Sequence, residues 1–345
     1  MMFKSGTSIL IIYTGGTIGM INDPETGSLA PFDFDHVMKQ VPELNKFGFD
    51  LTTITFEEVV DSSNITPEIW IHLAELIERN YETYDGFVIL HGTDTMAYSA
   101  SALSFLLENL GKPVVFTGSQ LPIGTLRTDG KENFISAIEI AAAKKNNQPL
   151  VPEVTIFFEN KLYRGNRTSK HNADYFDAFR SYNYPELAKA GINITYNYSA
   201  IHYPVVKRDL HVYHTLDPNV AILKLFPGIT TEVVDAFINI KGLKGLVLES
   251  FGSGNAPTQK WFIEKLSHAV ANGIVVLNVS QCSAGSVDMG AYETSLGLIE
   301  AGVISGNDST TEAAICKLMF LLGQNLTKQE MEVNLSKSLR GEINV

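Results

Sequence analysis

Cysteine, clustered basic residues and long apolar runs are all scarce in this chain of 345 residues. Its two cysteines, Cys282 and Cys316, are too few for a metal cluster and match no zinc spacing, so we interpret them as structural or free thiols. No apolar run approaches the roughly 20 residues of a membrane-spanning helix. The apolar segment near the amino terminus is shorter than the roughly 7 to 15 residues of a signal-peptide core, so it predicts a first strand. We therefore expect a cytoplasmic protein.

The balance of charges limits the possible partners. The chain carries 26 basic and 38 acidic residues, a formal net charge of -12. Nucleic acids and anionic membranes are bound through clustered Lys and Arg, so we expect neither as a partner. The nearest approach to a basic patch is Arg164, Arg167 and Lys170, whose polar neighbours are typical of a polar loop. With 45% hydrophobic and 19% charged residues, the composition is that of a globular protein with a substantial core.

Several common catalytic signatures are also missing. The chain has no Walker lysine, no complete Gly-x-Gly-x-x-Gly motif opening a strand-helix-strand unit, and no Gly-x-Ser-x-Gly motif. His36, His72 and His268 lack the spacing of metal ligands, and we interpret them as structural or solvated. Nucleotide chemistry and serine esterase chemistry therefore lose support.

Short apolar runs alternate with amphipathic stretches along most of the chain. Helical periodicity follows Thr66-Pro67-Glu68, where a capping candidate precedes a proline, and it recurs over residues 257–271 and 310–322. This alternation predicts an α/β fold with a mostly parallel sheet and helices on both faces. The runs that predict buried strands cover residues 8–13, 86–90, 113–117, 154–158, 221–226, 245–249 and 273–279.

Two stretches interrupt this rhythm. Between about residues 190 and 219, asparagine and proline recur and no helical or strand period persists. We therefore predict an N-terminal catalytic α/β domain over residues 1–195, a linker over 196–218 and a C-terminal α/β domain over 219–345. Residues 21–35 are dense in turn formers and form either a mobile lid over a site or an ordinary surface loop.

Two threonine-rich turns each follow a predicted buried strand. The first threonine turn is Thr-Gly-Gly-Thr, residues 14–17, and the second is His-Gly-Thr-Asp-Thr, residues 91–95. Ligands of α/β sheets bind at the carboxyl ends of the strands, where both turns place hydroxyl groups. Threonine is an unusual choice for a tight turn because its β-branch is stiff, which favours a chemical role. The alternatives are a Gly-Gly turn with capping threonines, and an Asp or Thr cap for the helix that starts near Met96.

Further polar groups follow other predicted strands. Lys170 lies in a polar run after the strand that ends at residue 158, and beside Asp94 it could accept a proton. A solvated surface lysine is the alternative. The run Asp-Ser-Ser-Asn at residues 61–64 offers small groups suited to the carboxylate of a small ligand, although capping of the next helix is equally natural.

These motifs together resemble those of the bacterial-type L-asparaginases, in particular the cytosolic type I branch. Residues 14–19 are similar to the first signature of that family and residues 91–96 to the second. The likeness extends to residues 61–63, 162–170, 252–257 and 281–306, and it spans nearly the whole chain. Two signatures with these further matches are far more specific than either turn alone.

The resemblance implies a fold and a set of roles. The fold would be a larger N-terminal domain and a smaller flavodoxin-like C-terminal domain, in a homodimer or homotetramer. Thr17 would attack the side-chain amide of L-asparagine, and Thr93, Asp94 and Lys170 would support it, with Lys170 accepting a proton from Thr93. Asp94 would also pair with the substrate α-ammonium group. Ser62 and Asp61 would bind the amino-acid moiety, and no metal or organic cofactor is implied.

Two departures from the family pattern affect these expectations. The lid tyrosine of many members is missing, because no tyrosine lies between Tyr13 and Tyr81. A possible second, allosteric asparagine site is matched by Asn255 and Cys282, but Glu249 stands where the arginine would be. A carboxylate cannot replace a guanidinium facing an α-carboxylate, so we expect weak or absent activation by asparagine.

Other functions fit the same resemblance. The chain could be a broader glutaminase-asparaginase, or the amidase part of a tRNA-dependent amidotransferase, which normally has a partner and an extra amino-terminal region. It could also be a catalytically silent asparagine-binding sensor. The combination of Thr17, Thr93, Asp94 and Lys170 favours an enzyme, because a pure binder needs no nucleophile beside a lysine-carboxylate pair.

Overall fold

The computed structural model describes residues 6–22, 29–31, 41–204, 206, 208–290 and 293–344. The chain divides into two compact units, Met1–His214 and Thr215–Val345. No helix within the described ranges is long and apolar enough to cross a membrane.

The N-terminal unit is built on a mixed sheet of eight strands in the order β15-β14-β11-β10-β7-β5-β1-β4. The five strands from β10 to β4 pair in parallel, whereas β11, β14 and β15 add an antiparallel edge. The strands of the unit are β1 (Ser8–Tyr13), β2 (Met20–Asn22), β3 (Leu29–Pro31), β4 (Asp50–Thr55), β5 (Gly86–Leu90), β6 (Leu107–Glu108), β7 (Val114–Thr117), β8 (Lys144–Lys145), β9 (Gln148–Pro149), β10 (Val154–Phe158), β11 (Lys161–Arg164), β12 (Ser169–Lys170), β13 (Phe179–Arg180), β14 (Ala188–Ala190), β15 (Ile194–Tyr196) and β16 (His211–Val212).

Among the described residues, the α-helices of this unit are α1 (Pro67–Asn80), α2 (Met96–Leu106) and α3 (Gly130–Ala142). The centre of the sheet is apolar on both faces, since every residue of β5, β7 and β10 is buried. Strands that are buried on both faces have continuous apolar sequences, so these strands could be predicted from the sequence. Helix α1 starts with Pro67 at its first position, where the missing N–H costs nothing, and buries the stripe Leu73, Leu76 and Ile77.

The C-terminal unit is smaller, and the strands of its described sheet pair in parallel. Its sheet has the order β17-β18-β19-β20, with β17 (Val220–Lys224), β18 (Gly245–Ser250), β19 (Val275–Ser280) and β20 (Ile304–Ser305). Its helices are α4 (Thr231–Ile238), α5 (Lys260–Ala271), α6 (Glu293–Glu300), α7 (Thr311–Leu322) and α8 (Lys328–Ser336). An apolar core with Phe262 and Leu266 of α5 fills the space beside the sheet.

The predicted fold class is confirmed in both units. The structure has a larger α/β unit with a mostly parallel sheet and a smaller α/β unit with a parallel sheet. Strands β1, β5 and β10 have the predicted bounds, whereas β17 begins and ends one or two residues before the predicted run 221–226. Helix α5 begins at Lys260, three residues after the predicted start at Pro257, and Gln259 is its N-cap residue.

Candidate active site

Two threonine turns and a short turn after β4 meet at the carboxyl ends of three neighbouring parallel strands. The first threonine turn follows β1, the second follows β5, and Ser62–Asn64 lies beyond β4. Gly16 has a φ of 93°, and a Cβ on it would lie 2.5 Å from the backbone nitrogen of Gly92. A Cβ on Gly92 would in turn lie 2.5 Å from Oγ of Ser62. Glycine at these two positions therefore lets the two threonine turns approach backbone to backbone and leaves room for the side chain of Ser62 against Gly92.

The two threonines of the first turn occupy different environments. Thr14 is buried, and its hydroxyl donates a hydrogen bond to the carbonyl of Leu90 at 3.0 Å. Thr17 is only half-buried and opens a short turn, Thr17–Gly19. Within the described residues, its hydroxyl has no hydrogen-bond partner. Thr14 thus ties the turn to β5, whereas the hydroxyl of Thr17 is available to a ligand.

Lys170 joins both polar groups of the second threonine turn. Its Nζ donates hydrogen bonds to Oγ1 of Thr93 at 2.8 Å and to Oδ1 of Asp94 at 2.7 Å. The lysine side chain is 17% exposed and that of Asp94 is 65% exposed, so the amine is sheltered while the carboxylate faces solvent. This geometry agrees with the expectation from the sequence that Lys170 lies beside Asp94. It does not agree with the alternative interpretation of Lys170 as a solvated surface lysine.

The segment before Lys170 is fixed by two buried arginines. Arg164, at the end of β11, forms an ion pair of 2.6 Å with Glu153, and its guanidinium lies over the ring of Tyr184. Arg167 is 2% exposed and donates to the carbonyl of Asn183. These residues were expected in a polar loop, but they are anchors in the protein interior. A buried charge that keeps its partner is costly to move, so the chain entering β12 is held in place.

Gln120 is a member of the cluster that the sequence interpretation missed. Its Oε1 accepts a hydrogen bond from the hydroxyl of Thr93 at 3.1 Å, and its Nε2 donates to the carbonyls of Ala173 and Tyr175 at 3.2 Å. The backbone nitrogen of Gln120 donates to the carboxylate of Asp129. The signal was present, because Gln120 follows β7 just as the threonine turns follow β1 and β5.

Asp61 and Ser62 lie beside the second threonine turn. Oδ1 of Asp61 accepts hydrogen bonds from the backbone and the hydroxyl of Ser63, and these bonds lower the pKa of the Asp61 carboxyl. Asp61 therefore caps its own short turn rather than α1, and its other oxygen has no partner among the described residues. Ser62 is buried, and its carbonyl accepts the hydroxyl of Thr95 at 2.6 Å.

His91 connects the second threonine turn to the core. Its Nδ1 lies 2.7 Å from the carbonyl oxygen of Gly92, and its Nε2 lies 2.9 Å from Oγ of Ser99. Trp70 of α1 donates its indole N–H to the same Oγ at 2.9 Å. Burial lowers the pKa of His91 to about 4, against the opposing effect of the Gly92 hydrogen bond. His91 is therefore neutral in the folded protein near neutral pH.

This burial predicts a loss of stability in mild acid. An unfolded histidine has a pKa near 6.5, so between that value and about 4 the unfolded chain binds a proton that the folded chain does not. Lowering the pH from 7 to 5 should cost the wild-type protein about 2 kcal/mol of unfolding free energy through His91 alone. His91→Gln should lack this loss. Urea unfolding followed by Trp70 fluorescence, with Trp261→Phe in both proteins, measures the difference, and equal pH dependence would contradict it.

The other residues singled out in the sequence belong to the C-terminal unit or lie outside the described ranges. Asn255 and Cys282 belong to the C-terminal unit, and the Cys282 thiol is exposed. Glu249, at the position of the missing arginine, accepts a hydrogen bond from Thr311 at 2.7 Å. Most of the expected lid, residues 23–28 and 32–35, lies outside the described residues. Within the described ranges, no group of three His, Cys, Asp or Glu side chains is placed to hold a metal ion.

Comparison with known proteins identifies the family of this site. The family model of the asparaginase N-terminal domain matches residues 8–202, and that of the glutaminase/asparaginase C-terminal domain matches residues 219–334. The chain belongs to the asparaginase family. It is an asparaginase-type hydrolase, and both threonine turns and Lys170 fall within the N-terminal match.

Three relatives of this asparaginase family member match it over nearly their whole length. L-asparaginase 1 of Escherichia coli K12 is 46% identical over 97% of this chain and 98% of its own. The crystal structure of L-asparaginase I from Vibrio cholerae is similar with a TM-score of 0.89 and 41% identity, covering 98% of this chain and 99% of that one. The thermostable L-asparaginase from Thermococcus kodakarensis has a TM-score of 0.88 and 33% identity, covering 98% and 100%.

Proposed function

We propose that this chain hydrolyses the side-chain amide of L-asparagine to L-aspartate and ammonia, with Thr17 as the nucleophile. The observation that carries the proposal is the contact of Lys170 with both Thr93 and Asp94, on a turn packed against the turn that bears Thr17. The three relatives described above are L-asparaginases, which supports the same substrate.

In the first step, the hydroxyl of Thr17 attacks the amide carbon and its proton passes toward the second threonine turn. Negative charge develops on the amide oxygen as the carbonyl becomes tetrahedral. Within the described residues, the backbone N–H groups of Thr17 and Thr93 have no acceptor, so they are available to stabilise that charge. Fixed donors of this kind act on the transition state more than on the substrate.

Thr93 and Lys170 handle the proton. In the resting geometry Lys170 donates to Thr93, and the hydroxyl proton of Thr93 points to Gln120. When Nζ carries a lone pair, the hydroxyl of Thr93 turns from Gln120, gives its proton to Nζ and takes the proton of the attacking Thr17 hydroxyl in exchange. Asp94 stabilises the resulting ammonium at 2.7 Å. The pair can then return the proton to the leaving nitrogen, which departs as ammonia.

The remaining steps restore the enzyme. Loss of ammonia leaves an ester between Thr17 and the aspartyl side chain. A water then attacks this ester, donates its proton to the same lysine-threonine pair and releases L-aspartate. The exposed carboxylate of Asp94 can pair with the α-ammonium group of the substrate. The free oxygen of Asp61 and the groups of Ser62 lie on the adjacent turn, where they can bind the rest of the amino-acid moiety.

Steady-state ammonia release from L-asparagine and L-glutamine, measured side by side over a wide concentration range, tests this proposal. We expect turnover of L-asparagine, and a larger kcat/KM for L-glutamine would instead assign a glutaminase. Tight binding of L-asparagine without ammonia release would identify the silent sensor and contradict the proposal.

The same rate curves test regulation at the second site. We propose that Asn255 and Cys282 do not form an activating asparagine site, because Glu249 presents a carboxylate where a guanidinium is needed. The rate should therefore follow a hyperbola in asparagine concentration. A sigmoidal curve would contradict this expectation.

We also propose a cytoplasmic homodimer or homotetramer, on the strength of the resemblance to the type I branch. Cell fractionation and sedimentation of the purified protein test the two parts of this proposal separately.

A further inference from the structure

A directed chain of hydrogen bonds runs from α1 to the second threonine turn. An indole N–H can only donate, so Oγ of Ser99 accepts from Trp70. A carbonyl can only accept, so Nδ1 of His91 carries the ring proton and donates it to Gly92. The neutral ring then has its lone pair on Nε2, which accepts the hydroxyl proton of Ser99, so the imidazole is held as its Nδ1–H tautomer.

The last bond of this chain determines the orientation of one peptide plane. The C=O and N–H groups of a trans peptide point in opposite directions, so a Gly92 carbonyl held by the buried ring of His91 turns the N–H of Thr93 away from it. No described group accepts that N–H. The same glycine contacts Gly16 and Ser62, so its position also affects the two neighbouring turns.

We propose that His91 is a positioning residue for the reaction: by holding the Gly92 carbonyl, it aims the Thr93 N–H at the developing oxyanion and keeps the Thr93 hydroxyl against Lys170. This inference rests on the proposed function, because it assigns an indirect role within the same site. His91 itself does not contact the substrate. Its effect passes through the Gly92–Thr93 peptide.

The expected size of the effect follows from the donor that His91 orients. Removing one oxyanion donor costs about 10²- to 10³-fold in kcat. A Thr93 N–H that is present but less well oriented should lose part of this contribution. We therefore expect kcat to fall roughly tenfold or more when the Nδ1 donor of His91 is removed. KM should change much less, because the N–H acts most strongly when charge has developed on the oxygen.

Two substitutions separate the two bonds of the ring. The amide nitrogen of asparagine can take the place of Nδ1, so His91→Asn keeps a donor for Gly92 and loses the bond to Ser99. The amide oxygen of glutamine can take the place of Nε2, so His91→Gln keeps the acceptor for Ser99 and loses the donor to Gly92. We expect kcat of His91→Asn to stay within about threefold of wild type and kcat of His91→Gln to fall roughly tenfold or more.

Trp70 fluorescence should change in the variant whose kcat is preserved and stay unchanged in the variant whose kcat falls. In a Trp261→Phe background Trp70 is the remaining tryptophan of the chain. Its emission should shift in His91→Asn, where Ser99 loses its acceptor, and should stay near wild type in His91→Gln. A purely structural role would move activity and fluorescence together in both variants.

The kinetic results distinguish a failure of this inference from a failure of the proposed function. If the wild type releases no ammonia from L-asparagine, both proposals fail. If the wild type is active and the two variants lose kcat equally, or His91→Asn loses more, only the inference is overturned.

A measurement on the wild-type protein decides the matter if the variants do not fold. With ¹⁵N-labelled histidine, NMR should reveal a ring that stays neutral from pH 8 to 5 and carries its proton on Nδ1. Absence of such a ring would overturn the inference.

Discussion

Replacing Thr17 by alanine should abolish ammonia release from L-asparagine while leaving L-aspartate binding largely in place. The hydroxyl is the atom that would form the ester, and no other described hydroxyl of the first turn is free, since Thr14 is bonded to Leu90. Loss of a nucleophile typically lowers kcat by roughly 10⁴-fold or more. Aspartate binding should survive, because the groups proposed to bind the amino-acid moiety lie on other turns. Steady-state kinetics and calorimetric titration with L-aspartate measure the two effects.

Thr14→Val is the matched control for this experiment. It removes the other hydroxyl of the same turn, and with it a buried hydrogen bond of 3.0 Å. We expect about 1 kcal/mol less stability and a kcat within a few-fold of wild type. If Thr17→Ala kept near-normal kcat, or if Thr14→Val were the inactive variant, the assignment of the nucleophile would be wrong.

Much of the fold and the meeting of the two threonine turns follow from local sequence. Strands β1, β5 and β10 are buried on both faces, so their apolar runs stand out and their ends locate the turns. Parallel strands place their carboxyl ends along one edge, which explains why turns separated by more than 70 residues can meet. The antiparallel strands β14 and β15 were missed, because they are short and partly exposed and carry no continuous apolar run.

The contacts that orient the site were less accessible to sequence interpretation. Gln120 donates to two carbonyls and accepts from Thr93, and each of these partners is far away in the chain or on an irregular loop. The link from His91 to Trp70 depends on the rotation of α1 and α2 about their axes, which brings Ser99 between the two rings. A one-residue shift in either helix would break it. Such contacts depend on tertiary packing, and no spacing in the sequence encodes them.

The helix caps illustrate the same limit. Asp94 and Thr95 were candidates to cap α2, but Thr95 is the N-cap residue without a side-chain hydrogen bond to the helix. Its hydroxyl donates to the carbonyl of Ser62 instead. Asp94 is engaged by Lys170. The local preference of these residues for capping is overridden by contacts that bring the turns of the site together.

Lys170→Met should lower kcat for L-asparagine by about 10²- to 10⁴-fold while KM changes little. The sheltered amine is the only described side chain that contacts Thr93 and Asp94 together, so its loss removes the proposed proton acceptor. Lys170→Arg separates the charge from the proton transfer. Arginine retains the cation beside Asp94 but does not deprotonate in proteins, so this variant should lose kcat as well.

Lys161→Met is the matched control, because Lys161 lies on the preceding strand and is similarly sheltered. Its Nζ contacts Asp177 at 3.5 Å, and its side chain is 23% exposed against 17% for Lys170. Removing it should leave kcat within about twofold, since ion pairs of this kind contribute little to stability and this one does not touch the threonine turns. An effect of Lys170→Met confined to KM would reassign Lys170 to substrate binding. A guanidinium can stabilise Asp94 and a developing oxyanion, but it cannot receive the proton of Thr93. Full activity in Lys170→Arg would therefore show that Lys170 contributes its positive charge and not a proton transfer.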